Sequence, residues 1–107
     1  MPCFFSTRAE LDLEEIADYI ARDNPRRAVS FIGEIRVRCQ NMVDFPEAAP
    51  LREEFGTGIR IVPFRRYLIF YTLHPDKVRI ERVLSGFRQL TSDYFTLSQE
   101  TGGSFKT

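Results

Sequence analysis

The chain has 107 residues, 43 % hydrophobic and 28 % charged, which suffices for one folded domain with a real core and leaves no room for a second. Fifteen basic and fifteen acidic side chains cancel, so net charge alone argues against a nucleic-acid binder. Two cysteines and one histidine exclude a disulfide framework and fall short of a zinc site, and Cys3 and Cys39 are expected as reduced thiols. No run of about 18 apolar residues occurs, and the opening MPCFFSTRAE lacks the pattern of a secretion signal, so a cytoplasmic protein is expected. Charge is divided along the chain. Residues 1–58 hold seven arginines against eleven acids, whereas residues 59–95 hold six arginines and one lysine against three acids.

Residues 3–6, CFFS, read as a short first strand. Thr7 then looks like an N-cap, with Glu10 completing a capping box. Ala9, Leu13, Ile16, Ala17 and Ile20 repeat at helical spacing, with Glu14, Glu15 and their acidic neighbours on the solvated side. RDNPRRA ends this helix and starts another, capped by Asn24 or Asp23 and led by Pro25. Ala28, Phe31, Ile32, Ile35, Cys39 and Met42 carry the second helix to about Asp44, and the short link folds the pair into an antiparallel hairpin.

FPEAAPLREEFGTG has no clean period and reads as a loop of about a dozen residues. Three strands follow: IRIVPF, which Pro63 places at an edge or bend; RYLIFYTL; and, after the turn HPDK, VRIERVLS. The fold class is α+β, an N-terminal α-helical hairpin on a small antiparallel sheet in the order β-α-α-β-β-β. Residues 1–95 form the single domain and 96–107 a tail expected to be mobile. In RYLIFYTL both faces are apolar: Leu68 and Phe70 point one way, Ile69, Tyr71 and Leu73 the other. Two helices cover one such face, so the other is expected to need a second polypeptide.

His74 sits in a turn without a nucleophile or carboxylate partner, and the glycines of GTG at 56–58 precede a strand, not the helix that phosphate loops require. No metal and no cofactor are implied. Arg60, Arg65, Arg66, Arg79, Arg82 and Arg88 lie on or beside the strands, interleaved with Phe64, Tyr67 and Phe87. Such a surface suits phosphates and bases; equally, arginines on a small sheet pair with acidic helices. Arginine stays protonated, so RNA cleavage would need Tyr67, Tyr71, Tyr94 or a glutamate to move protons.

The segments DLEEIADYIARDNPRRAVSFI, FPEAAP, GIRIVPFRRYLIFYTL and VRIERVLSGFR, in that order, resemble the ParE branch of the RelE/ParE superfamily across about residues 4 to 90. The resemblance implies the toxin of a type II toxin–antitoxin pair, bound by a cognate ParD-like antitoxin of ribbon-helix-helix type and directed at DNA gyrase, without catalytic residues of its own. Target binding is expected of the strand arginines Arg60, Arg65, Arg66, Arg79, Arg82 and Arg88; if Ile69 and Tyr71 face the helices, antitoxin binding falls to Leu68 and Phe70 with Phe64 and Tyr19 near the rim, and the opposite register exchanges the faces. RelE-like relatives instead cut messenger RNA on the ribosome, a role for which Arg60, Arg88 and Tyr94 stand in matching places. An inactive relative that only binds an antitoxin is a third reading. The chain departs from the family pattern at Ser85 and Phe87, where histidine and alanine are frequent, and at Ala48 and Ala49, where a glycine is usual. It departs from the RelE pattern at Val62 and Tyr67, where basic residues are expected.

Overall fold

The computed structural model describes residues 1–86, so the expected tail, Arg88 and Tyr94 lie outside the described residues. Its elements are β1 (Cys3–Phe5), α1 (Thr7–Ala21), α2 (Pro25–Met42), a 3-10 turn (Glu53–Phe55), β2 (Arg60–Phe64), β3 (Tyr67–His74) and β4 (Lys77–Ser85). The expected order β-α-α-β-β-β holds.

Ser6, not Thr7, caps α1. Its hydroxyl accepts from the Ala9 amide at 3.0 Å and donates to the Glu81 carbonyl at 3.0 Å, while its own amide donates to the Ile80 carbonyl at 2.9 Å. The residue between β1 and α1 thus starts the helix and fixes both elements to β4. Glu10 completes no capping box: with Ser6 as the cap the box position falls on Ala9 and the Ser6 amide is taken by Ile80, while the Glu10 carboxylate lies 2.9 Å from Arg36 on α2. At α2 the expectation holds: Asn24 accepts from the Arg27 amide at 3.0 Å and Pro25 takes the first helical position.

The sheet runs β1-β4-β3-β2. The three-strand meander is antiparallel as expected, but β1 pairs parallel to β4, so the sheet is mixed and not antiparallel throughout. Two helices separate β1 from the meander, so no hairpin turn dictates its direction. Pro63 lies on the edge strand β2, where a missing N–H is tolerated.

A bulge between Phe70 and Tyr71 sets which side chains enter the core. Phe70 pairs with Arg82 and Tyr71 with Ile80, leaving Glu81 as the extra residue of β4. Simple alternation would align Val78, Ile80 and Arg82; the bulge brings Val83 to the helix side with Val78 and Ile80. There they pack with Ile69 and Tyr71 against Ala9, Leu13, Ile16, Phe31, Ile35 and Cys39.

The opposite face is not left open. The 3-10 turn folds back over it, placing the Phe55 ring 5.8 Å from Phe70 at 79°, edge to face. Phe55, Ile59, Phe70 and Leu84 form a second core, with Ile61 and Leu68 at its margin. Phe70 is 0 % exposed, so the expectation that it awaits a partner is overturned: the segment read as a plain loop is a lid. Beyond the lid this face carries a polar row, where Thr72 donates to Glu81 at 2.8 Å and Arg79 approaches Glu81 at 3.3 Å, and next to Arg79 the exposed ring of Phe4.

Candidate functional site

At one end of the molecule the tip of the helical hairpin meets the β2–β3 turn. Phe64 and Tyr67 form the cross-strand pair that closes this turn, with Arg65 and Arg66 between them. Phe31 of α2 packs against both rings, 5.8 Å from Phe64 and 5.7 Å from Tyr67. Three guanidinium groups lie over rings of this cluster or beside it: Arg65 over Phe64 at 5.5 Å, Arg27 over Phe31 at 5.0 Å and Arg22 over Tyr19 at 6.0 Å. A planar cation over an aromatic face leaves its outward edge for a partner, save at Arg27, which commits both Nη atoms to Glu34.

Glu34 organises this end. Its carboxylate takes a two-point ion pair from Arg27, 2.7 and 3.2 Å, and stands 3.6 Å from Arg65. Hydrogen bonding to Arg27, with a smaller contribution from Arg65, holds the Glu34 carboxyl below the usual glutamate range. Burial pushes the Tyr67 phenol above its ordinary value.

The turn itself is strained. Arg65 has φ 56°, a left-handed conformation that two-residue hairpins usually give to glycine or asparagine, at a cost of about 1–2 kcal/mol for other residues. Behind it, the Gly86 amide donates to the Arg66 carbonyl at 2.7 Å, and a Cβ on Gly86 would stand 3.1 Å from that oxygen. Absence of a side chain at 86 lets β4 brace the turn. Strain of this kind, held in place by surrounding structure, is characteristic of contact sites.

The family model for the ParE toxin of type II toxin–antitoxin systems, parDE, matches residues 4–90. The chain belongs to the ParE toxin family. Among solved structures it is similar to the chromosomal ParDE toxin–antitoxin system from P. aeruginosa, with a TM-score of 0.68 and 17 % identity over 79 % of this chain and 95 % of that one. That likeness supports the fold. None of the curated proteins compared matches the sequence.

Within this ParE-family toxin the expected arginines do not form one surface. Arg65 and Arg66 stand exposed at the turn. Arg60 instead donates to the Ala49 carbonyl at 2.5 Å, tying the loop ahead of the lid to β2. Arg79 lies on the polar half of the sheet beside Glu81. Arg82 is 3 % exposed and locked to Asp12, with Nε to Oδ2 at 2.8 Å and Nη2 to Oδ1 at 3.0 Å, so the expectation that it meets a target is corrected.

Of the side chains expected to meet an antitoxin, the ParE-family fold brings two to the same end. Tyr19 is 67 % exposed and sits close enough to Tyr67 to influence its ionisation, and Phe64 is half-buried beside Tyr67. Leu68 is half-buried at the margin of the lid, and Phe70 lies beneath it. Sequence reasoning missed Arg22, Arg27, Phe31 and Glu34. The signal was the basic link RDNPRRA, whose arginines lie next to the strand turn only in three dimensions.

Of the tyrosines that could move a proton, Tyr67 is half-buried in the aromatic cluster and Tyr71 is enclosed. The Tyr71 phenol is buried, donates to the Pro46 carbonyl at 2.7 Å and is pushed above its ordinary range by burial. Arg60, shared by the ribonuclease set, is engaged with backbone, and the other two members lie outside the described residues. The GTG segment is occupied from within, since the Gly58 amide donates to the Glu53 carboxylate at 3.0 Å. Among the described residues there is no cluster of three metal-binding side chains, and no helix is long and apolar enough to cross a membrane.

Proposed function

We propose that this ParE-family toxin inhibits DNA gyrase by binding it, with no cofactor and no covalent chemistry, and that a cognate ParD-like antitoxin of ribbon-helix-helix type neutralises it in the cytoplasm. The observation that carries the reading is the arginine-capped aromatic end formed by Arg22, Arg27, Arg65, Phe64 and Tyr19 within a family of toxins. Arginine and tyrosine are the residue types that dominate binding energy at protein interfaces, and here they sit on two helix ends and a braced turn. A permanently charged guanidinium takes no proton from a substrate, so the same groups favour inhibition by occupancy over cleavage. Arg65 and Arg66 are the contacts assigned to gyrase, and Tyr19 and Phe64 those assigned to the antitoxin.

The deciding experiment mixes purified toxin with gyrase and relaxed plasmid. Loss of supercoiling or accumulation of cleaved plasmid, relieved by the antitoxin encoded beside the toxin, is the expected result. Gyrase left fully active at micromolar toxin rejects the proposal.

A further inference from the structure

The fold brings the chain's two cysteines together. Cys3 lies on β1 and is half-exposed; Cys39 lies on α2, is fully buried, and belongs to the core against which Cys3 packs. One turn before Cys39, the Arg36 guanidinium sits 5.0 Å over the ring of Phe5, the second residue after Cys3, so this stretch of α2 runs alongside β1. Each thiol is the leading influence on the other's ionisation, as neighbouring sulfurs are, and both are free. Sequence separation had concealed this, since 36 positions divide two residues that are neighbours only across a helix and a strand.

We propose that Cys3 and Cys39 are a modification site for hydroperoxides, which convert the pair into an intramolecular disulfide joining the edge strand to the second helix. The Cys3 thiolate attacks a peroxide oxygen, the O–O bond breaks, and Cys3 becomes a sulfenic acid as water or an alcohol departs. The Cys39 sulfur then attacks the Cys3 sulfur, the S–O bond breaks, and the hydroxyl leaves as water with the Cys39 proton. Two thiols lose two electrons and the hydroperoxide gains them.

The roles follow from position. Cys3 is the less buried of the two, and the Cys39 thiol beside it favours its thiolate and lowers its pKa against the opposing effect of burial. Cys39 holds its proton, because the neighbouring Cys3 and burial both raise its pKa, and it waits at the resolving position. Disulfides in reducing compartments are usually transient and redox-sensing, which fits a pair that is free at rest.

The test treats the reduced full-length chain with hydrogen peroxide, unfolds it in N-ethylmaleimide and measures intact mass and peptide map. The expected product is monomeric, two hydrogens lighter, unlabelled by maleimide, and yields one peptide pair linking Cys3 to Cys39. Its thermal midpoint rises by about 5 °C or more and returns to the starting value with dithiothreitol. In Cys39→Ser, which keeps the small buried side chain, peroxide should leave a sulfenic acid on Cys3 that dimedone traps. An unchanged mass, a dimer linked through Cys3, or a Cys3 sulfinic acid with Cys39 still open to maleimide overturns the proposal.

Discussion

Asp12 and Arg82, 70 positions apart in sequence, form a buried two-point ion pair between α1 and β4 at 2.8 and 3.0 Å. The same carboxylate accepts the backbone amide of Val83 at 2.9 Å. Pairing with β1 stops at Ile80, so beyond it β4 has no strand neighbour on that side, and Asp12 supplies the acceptor a strand would have offered. Replacing Asp12 by alanine strands a buried guanidinium and an unpaired amide and is expected to cost about 3–5 kcal/mol in urea unfolding. The double variant Asp12→Leu with Arg82→Met should be less destabilised than Asp12→Ala, because the lone charge is gone and only the Val83 amide lacks a partner.

Removing the lid should expose what it shields. Phe55→Ala takes an edge-to-face partner from Phe70 and opens the second core, with an expected loss of about 3 kcal/mol in chemical denaturation. Phe70→Asp should fail to fold, since the carboxylate would enter a site with no solvent access. A folded Phe70→Asp toxin would show that the lid lifts in solution.

These two sites also mark where the sequence stops being informative. Helix periodicity, the Asn24–Pro25 start, the hairpin strands and the edge position of Pro63 follow from local spacing and backbone chemistry, and the structure agrees with them. The lid was illegible because Phe55 is one anchor in a segment of prolines, glycines and charges with no period to betray its direction. The bulge left a trace: the alternation of VRIERVLS breaks at Arg82 and Val83, and the demand that both Ile80 and Val83 reach the helices inserts the extra residue. The candidate site joins the link between two helices to the turn between two strands, a meeting that no local pattern encodes.

Arg65→Gly separates stability from function. Glycine takes a φ of 56° without strain, so the variant should match or exceed the parent by up to about 1 kcal/mol despite losing the contacts to Phe64 and Glu34. On the proposed function, inhibition of gyrase should nonetheless fall at least about tenfold, the effect of losing one central arginine at an interface. Full potency in Arg65→Gly would remove the turn from the target surface.

Tyr71 should set an alkaline limit. Its phenol is held protonated above the ordinary tyrosine value of about 10, because the ionised form would be buried. Its contribution is intact below pH 10. Above that, the unfolded chain loses the Tyr71 proton while the folded chain keeps it, so stability declines as pH rises towards the folded value. Denaturation midpoints followed between pH 8 and about 12 should fall in the parent and fall less in Tyr71→Phe, which also forfeits the bond to Pro46.

Tyr19 offers the cleanest probe of the proposed antitoxin surface. It is exposed and contributes no core contact, so Tyr19→Ala should leave the thermal midpoint within a degree or two while weakening antitoxin binding by about tenfold in titration calorimetry. Unchanged affinity would move the antitoxin away from this end.

Ser6 touches β4 across 75 positions, and β1 docks beside the same strand in parallel register. Strand β1 and the cap of α1 therefore bond to a strand made some 75 residues later, and a nascent chain lacking residues 77–85 has no seat for them. Closure has to wait until that strand emerges, and such distant pairing slows folding. Synthesis and toxicity are thus separated by an interval in which the N-terminal strand and the helix after it remain undocked.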